Sequence, residues 1–280
     1  MSLSPATILA ADADARRAIV AGDHSACKVA LLVDHTQLKQ ECTTAHIVAL
    51  CAQAREHDFR SVCIPPSRVA LARSLLVLPA QLSKADAAGA AVRVCTVVGF
   101  PNGYMTTAAK VAETADAVAA GADEIDFVQN VGWVKDANWT DTRNEYRAIV
   151  AAAGPARLVK VILETALLTP DEIERCSTIA VQAGIHTVKT STGFAARGAS
   201  LADVEAMQRG IELAFADGST PRRVVGIKAS GGIRDTVTAL QFIRAGATRL
   251  GTSSGVAIIS GLQHHQPGES SGAAASTSNY

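Results

Sequence analysis

Apolar runs rich in β-branched residues alternate along the chain with alanine-rich stretches in which apolar residues recur at helical spacing. The apolar runs predict eight strands, which are Val29–Val33, Ser61–Ile64, Val92–Val98, Glu124–Val128, Leu158–Leu163, Thr187–Lys189, Val224–Ile227 and Arg249–Gly251. The stretches between them predict helices, among them Ala108–Ala120, Thr142–Ala153, Asp171–Gln182 and Asp235–Ala245. Strands that alternate with helices indicate βαβ units and a parallel sheet.

Capping residues mark several helix ends. Thr169, Pro170 and Glu172 have the pattern of a capping box with proline at the first helical position, so a helix should begin there. Glycines stand where three helices should end, at Gly121, Gly184 and Gly246.

The spacing of the strands favours a closed barrel over an open sheet. Successive strands are on average about 31 residues apart, the size of one βαβ unit, and eight such units fit a (β/α)8 barrel of roughly 250 residues. An open, doubly wound sheet is the alternative, and it often has a glycine-rich phosphate turn after the first strand. Here the first strand ends in Asp34-His35-Thr36 without such a turn. We therefore predict an α/β protein with the TIM (β/α)8 barrel fold.

The barrel accounts for most of the chain. Residues 1–28 precede the first strand and predict an N-terminal helical extension, and residues 29–263 hold the barrel domain. Residues 264–280 are small and polar, which is typical of a flexible C-terminal tail.

Composition excludes several classes of protein. Apolar residues are 48% of the chain, and 26 basic residues balance 26 acidic ones, so no global basic surface for nucleic acid is present. No apolar run approaches the ~18 residues of a membrane helix, and the first ten residues lack the basic residue of a secretory signal. Six cysteines without a CxxC pair are typical of free thiols in a reducing compartment. We expect a cytoplasmic protein with neither nucleic-acid nor membrane partners.

Lysines interrupt three consecutive strands at positions where a barrel normally has bulky apolar residues. They are Lys160, Lys189 and Lys228, and small polar residues share the strand face of the last two. One interpretation is that each lysine extends to a strand end or faces a buried carboxylate. The other is a cluster in which burial and mutual repulsion depress the lysine pKa. Because a neutral lysine attacks carbonyl carbon, the cluster suggests Schiff-base chemistry.

Two carboxylates supply counterparts to these lysines. Asp126 shares a strand face with Glu124, while Ile125 and Phe127 face the helices, and Asp34 shares a face with Thr36. An aspartate beside a catalytic lysine can transfer protons or pair with it. For Asp34, a structural salt bridge and a role in substrate binding explain the residue equally well. For Asp126, the apolar run around it favours a functional role over a purely structural one.

Glycine-rich loops follow the last three strands. They are Ser191-Thr192-Gly193, Ser230-Gly231-Gly232-Ile233 and Gly251-Thr252-Ser253-Ser254-Gly255. In barrels a phosphate often binds beside the loops after strands seven and eight, and glycine lets the backbone approach an anion. The seven histidines show no metal-ligand spacing, so we predict no metal site.

Seven segments together resemble 2-deoxyribose-5-phosphate aldolase. They are Asp34-His-Thr-Gln-Leu-Lys39, Ser61-Val-Cys-Ile-Pro65, Val97-Val-Gly-Phe-Pro-Asn-Gly103, Glu124-Ile-Asp126, Lys189-Thr-Ser-Thr-Gly193, Lys228-Ala-Ser-Gly-Gly-Ile-Arg234 and Gly251-Thr-Ser-Ser254. The resemblance implies a class I aldolase that cleaves 2-deoxyribose 5-phosphate reversibly to acetaldehyde and glyceraldehyde 3-phosphate, in deoxyribose catabolism, with no metal and no other cofactor.

The resemblance also implies roles for individual residues. Lys189 would form the Schiff base, Lys228 would lower its pKa, and Asp126 would relay protons with Lys160 close by. The substrate-binding residues would be Asp34, Thr36, Cys63 and Thr192. The phosphate-binding residues would be Gly193, Gly231, Gly232, Ser253 and Ser254.

Two further features bear on this resemblance. Phe194 stands where some members have a phosphate-binding lysine, so we expect a weaker preference for phosphorylated substrates unless Arg197 or Arg234 substitutes. The chain ends in Tyr280, as some members do, and a tail of this length could bring the phenol to the mouth of the barrel as a catalytic acid.

Alternative functions are another Schiff-base aldolase or dehydratase, and a sugar-phosphate sensor without activity. A small sugar phosphate and aldehydes are the expected partners. A homodimer is one possible assembly.

Overall fold

Eight parallel strands pair in chain order and close into a barrel, because β1 pairs with both β2 and β8. The computed structural model describes residues 3–76 and 91–262. The strands are β1 (Val33–Thr36), β2 (Ser61–Ile64), β3 (Arg93–Val98), β4 (Glu124–Val128), β5 (Leu158–Ile162), β6 (Thr187–Lys189), β7 (Gly226–Ser230) and β8 (Arg249–Thr252). The predicted TIM barrel is confirmed.

Helices surround the barrel and connect its strands. They are α1 (Pro5–Val20), α2 (Ala26–Ala30), α3 (Thr44–Glu56), α4 (Val69–Leu76), α5 (Thr107–Ala119), α6 (Val131–Lys135), α7 (Trp139–Ala153), α8 (Pro170–Gln182), α9 (Leu201–Ala216), α10 (Thr236–Ala245) and α11 (Gly255–Gly261). The predicted capping box begins α8: the backbone N–H of Glu172 donates to Thr169 Oγ1 at 3.2 Å, and that of Thr169 donates to Glu172 Oε2 at 2.8 Å. None of the helices in the described ranges is long and apolar enough to cross a membrane.

The predicted bounds of β1 and β7 are wrong by two residues or more, and those of β3, β5 and β8 differ by one residue at one end. The first strand is Val33–Thr36 rather than Val29–Val33, because Val29 and Ala30 form the buried end of α2. The seventh begins at Gly226, since Val224 is 46% exposed and lies outside the sheet. In both cases an apolar run stops before a charged residue, whereas the strand continues because that residue, Asp34 or Lys228, faces the barrel interior.

The apolar core lies between the strands and the helices rather than inside the barrel. Ile125, Phe127, Val159, Val161 and Leu250 point outward into one continuous buried cluster. The inward positions of the same strands carry buried charged side chains. Apolar packing on the outer face of the strands therefore stabilises the barrel, and the interior is free to hold polar, reactive side chains.

Helix α1 closes the amino-terminal end of the barrel. Ile8 and Leu9 pack on Leu158, and the carboxylate of Asp12 pairs with Arg249 of β8 inside the barrel. The boundary predicted at residues 28 and 29 falls within α2.

Helices α8 and α9 touch closely where α9 has a glycine. A Cβ on Gly210 would lie 2.2 Å from the carbonyl oxygen of Glu174 and 2.7 Å from Cβ of Ser177. We predict that Gly210→Ala forces the helices apart and lowers the free energy of unfolding by about 1–3 kcal/mol. Urea denaturation measures the change, with Glu205→Ala on an exposed position of α9 as the control. Equal stability of the two variants would contradict the close contact.

Candidate active site

Three lysines on neighbouring strands meet one carboxylate inside the barrel. Lys160 Nζ donates to Asp126 Oδ1 at 2.7 Å, and the Nζ atoms of Lys189 and Lys228 both donate to Oδ2 at 2.9 Å. The sheet register explains the meeting, because Asp126 is the Cα partner of Lys160 and Lys189 is that of Lys228. The three lysines therefore form a cluster, and each of them also faces a buried carboxylate.

The charges in the cluster stabilise one another. Burial alone would raise the pKa of Asp126, but the three lysines hold it well below its usual value. Burial alone would lower the pKa of Lys160 and Lys228, yet Asp126 and its neighbouring carboxylates raise the pKa of both. The expectation of a depressed lysine pKa is wrong for these two, because each has two close carboxylate partners.

Asp34 lies next to this cluster and joins it to Arg249. One carboxylate oxygen of Asp34 accepts a short hydrogen bond from Lys228 Nζ, and the other accepts from Arg249 Nη1 at 2.6 Å and from Ser61 Oγ at 2.7 Å. Burial opposes ionisation of Asp34, but Arg249 and Lys228 lower its pKa far below the usual range. Asp34 is thus an ionised, fully paired part of the barrel interior.

A cavity of about 460 Å³ opens at the carboxyl ends of the strands and reaches Lys189. The loops after β1, β6, β7 and β8 line it, with residues Thr36–Lys39, Thr192–Phe194, Ser230–Arg234 and Gly251–Ser253. Lys160, Lys228 and Asp126 lie deeper and are not exposed to solvent at all. Of the three lysines, only Lys189 contributes to the cavity wall.

The glycine-rich loops converge on this cavity as the phosphate hypothesis requires. Gly193, Gly231 and Gly232 have positive φ angles of 87°, 87° and 81°, a conformation that glycine adopts readily. All three line the cavity with Ser253. Ser254 lies outside the cavity wall, and its backbone N–H donates to Thr252 Oγ1 at 2.9 Å.

Among the predicted substrate-binding residues, Thr36 and Thr192 line the cavity. Cys63 does not: it is fully buried beside Cys95, its Cα partner on β3. A hydrogen bond with Cys95 and the nearby Lys228 lower the pKa of the Cys63 thiol to about 7. All six cysteines are free thiols.

The two candidate replacement cations differ in their surroundings. Arg197 pairs with Asp203 at 2.6 Å and donates to the carbonyl of Thr165 at 3.1 Å, so it is engaged in structure. Arg234 is exposed at the cavity wall and forms no ion pair within residues 3–76 and 91–262. The ring of Phe194 meets Phe100 edge to face at 5.3 Å.

Sequence analysis missed Arg249 and Glu164. Arg249 could have been found, because it shares a face of a predicted strand with Gly251. Glu164 carries no such signal: it follows β5 in a left-handed conformation with φ 55°. Its Oε2 accepts from the backbone N–H of Thr192 at 3.3 Å and, in a short bond, from its hydroxyl. Glu164 thus holds the loop that separates Lys189 from Phe194.

Among residues 3–76 and 91–262, two groups of three buried side chains have the proximity needed to ligate a metal ion, namely Cys63, Cys95 and Asp126, and Asp34, Cys95 and Glu124. Every carboxylate in both groups already accepts hydrogen bonds from lysine or arginine nitrogens, and these cations compete with a metal. The absence of a metal site stays a prediction. Tyr280 lies outside the described residues, so its catalytic role is also still a prediction.

Comparison with known proteins agrees with the barrel fold. The model of the DeoC/LacD family of aldolases matches residues 28–265. The chain is 44% identical over 241 residues to a deoxyribose-phosphate aldolase of Mannheimia succiniciproducens, covering 86% of this chain and 98% of that one. It is 45% identical over 231 residues to the enzyme of that name from Brevibacillus brevis, covering 82% and 95%.

A solved structure shows the same likeness. The tetrameric deoxyribose phosphate aldolase of Aeropyrum pernix superimposes with a TM-score of 0.72 at 28% identity, covering 91% of this chain and 97% of that chain. The resemblance inferred from the motifs is confirmed: this chain belongs to the DeoC/LacD family of aldolases.

Proposed function

We propose that this chain cleaves 2-deoxyribose 5-phosphate to acetaldehyde and glyceraldehyde 3-phosphate through a Schiff base on Lys189. The observation that carries the proposal is that Lys189 alone of the three clustered lysines lines the cavity. The names of the close relatives support the same substrate. A role in deoxyribose catabolism follows from that substrate.

Contacts favour Lys189 as the nucleophile. Lys160 pairs with Glu124 at 2.6 Å and Asp126 at 2.7 Å, and Lys228 pairs with Asp34 and Asp126. Within the part of the chain that the structure describes, Lys189 pairs with Asp126 only, and through an oxygen that Lys228 also uses. Removing a proton from Lys189 therefore breaks the fewest ion pairs. Lys228 still neutralises the negative charge of Asp126 afterwards.

The proposed reaction proceeds in three steps. The free amine of Lys189 adds to the aldehyde carbon of the open-chain sugar, and loss of water gives the iminium ion. The bond between C2 and C3 then breaks: its electrons pass to the iminium, and the C3 hydroxyl gives up its proton. Asp126 is the proposed acceptor, because it loses one of its three positive neighbours as the iminium becomes a neutral enamine. Protonation of the enamine carbon and hydrolysis release acetaldehyde and restore Lys189.

The phosphate of the substrate binds at the glycine-rich loops. Backbone N–H groups near Gly193, Gly231 and Gly232 and the hydroxyl of Ser253 line that side of the cavity, and Arg234 supplies the positive charge. Ser254 supports the loop through its bond to Thr252. A homo-oligomer is supported by the tetrameric Aeropyrum relative, and a homodimer stays a prediction.

Trapping with borohydride tests the nucleophile. We expect that acetaldehyde and borohydride leave an ethyl group on Lys189, which peptide mass mapping locates, and that Lys189→Met abolishes both the label and the cleavage of 2-deoxyribose 5-phosphate. Lys135→Met removes an exposed lysine and serves as the control. A label on Lys160 or Lys228 would overturn the assignment. A label on Lys189 without cleavage products would indicate another Schiff-base enzyme.

Arg234→Ala tests the phosphate site. We expect the KM for 2-deoxyribose 5-phosphate to rise about 10- to 100-fold, because a charge-assisted hydrogen bond contributes about 1.5–3 kcal/mol. The kinetics with unphosphorylated 2-deoxyribose should not change. Arg222→Ala, at an exposed position that does not line the cavity, is the control. Equal effects on both sugars would show that Arg234 does not bind phosphate.

A further inference from the structure

Ten charged side chains form one continuous ion-pair cluster inside the barrel, which we call the lumen cluster. All are buried, and the most exposed is Arg93 at 8%. Its members are the four carboxylates Asp12, Asp34, Glu124 and Asp126 and the six cations Arg60, Arg93, Lys160, Lys189, Lys228 and Arg249. Six cations against four carboxylates leave an excess of two positive charges when all groups are ionised.

The cluster runs from the amino-terminal end of the barrel to the cavity. Arg60 pairs with Asp12 of α1 at 2.6 Å, and Asp12 pairs with Arg249. Arg249 pairs with Asp34 at 2.6 Å, and Asp34 binds Lys228, which shares Asp126 with Lys189. Helix α1 therefore contributes a charge to a network that ends at the proposed nucleophile.

We propose that Asp12 and Arg60, at the closed end of the barrel, are positioning residues that set the charge of the lumen and thereby the pH at which Lys189 becomes a free amine. The inference rests on the proposed function, in which Lys189 must lose its proton. A more positive lumen disfavours the ammonium form, and a more negative lumen favours it. Because the cluster is buried, solvent and salt screen these effects weakly.

The charged groups around Lys189 come from several elements. Asp126 of β4 and Lys228 of β7 contact it through the shared oxygen. Lys160 of β5 binds the other oxygen of Asp126. Cys63 of β2 interacts electrostatically with Lys189. Glu164, after β5, also interacts with Lys189 through its charge. None of these groups is altered when Asp12 or Arg60 is replaced.

Two substitutions separate charge from structure. Asp12→Asn and Arg60→Gln both break the Asp12–Arg60 ion pair. Asp12→Asn also removes the charge that pairs with Arg249, and Arg60→Gln also removes the Nε–H that donates to the carbonyl of Leu31. They change the charge of the lumen in opposite directions. Asp12→Asn should shift the onset of the free amine to lower pH, and Arg60→Gln should shift it to higher pH. Because Asp12 and Arg60 act on Lys189 across the length of the lumen cluster, we expect the midpoint of its titration to shift by about 0.5 to 1 pH unit.

Competitive acetylation of the folded full-length chain with acetic anhydride measures the free amine directly. The label on Lys189 is compared across pH with that on the exposed Lys135 in the same sample. Burial raises the pKa of Asp12, so the titration is run at neutral and alkaline pH, which favours its ionised form. Arg60→Lys keeps the charge and should give the parental titration curve.

The acid limb of kcat/KM for 2-deoxyribose 5-phosphate should move in the same direction as the acetylation curve. Shifts of the same sign in Asp12→Asn and Arg60→Gln, or no shift in either folded variant, would overturn the proposal. If Asp12→Asn does not fold, Arg93→Gln, which also removes a cation, must shift the curve upward as Arg60→Gln does. Opposite shifts in acetylation without any cleavage activity would refute the proposed function and leave this inference standing.

Discussion

The shared carboxylate of Asp126 makes it possible to bury three lysines in one barrel. An unpaired ammonium in such an interior would lose its proton or destabilise the fold. Asp126 accepts from all three Nζ atoms at 2.7 to 2.9 Å and thereby couples their charges. When one lysine gains or loses a proton, the electrostatic energy of the other two changes, because all three share the same two oxygens. The chemistry proposed for Lys189 depends on this coupling, because Lys228 stays to compensate Asp126 when Lys189 becomes neutral.

A charged lumen also determines where the apolar core must be. A TIM barrel interior is usually filled by bulky branched side chains, but here the lumen cluster takes many of the inward positions. The outward faces of the strands carry the apolar contacts instead, from Val62 on β2 to Leu250 on β8, and the helices cover them. Helix α1 then closes the amino-terminal end with both Ile8 and the charge of Asp12. One end of the barrel is sealed, and access is left to the end that holds the cavity.

Local patterns predicted the fold well, and they predicted the partners of buried charges poorly. The bounds of β2, β4 and β6 coincide with the apolar runs, and the capping box at Thr169 begins α8 as expected. The three lysines and Asp126 stood out because they interrupt such runs. Asp12 could not be predicted as a partner of Arg249, because the two are 237 positions apart and only barrel closure brings them together. Arg197 and Asp203 are only six positions apart, but the pattern alone could not show that they pair while Arg234 faces the cavity, because the path of the loops decides where each side chain lies.

The ends of the strands explain why one of three similar lysines reaches the cavity. Strand β6 is only three residues long, and Lys189 is its last residue. Lys228 lies in the middle of β7, where Ala229 and Ser230 continue the strand beyond it. The register pairs Lys160 with Thr187, two residues before Lys189, so Lys160 lies deeper in the barrel. Early termination of β6 therefore exposes a single amine of the cluster, and the loop that follows, held by Glu164 through Thr192, supplies the adjoining wall of the cavity.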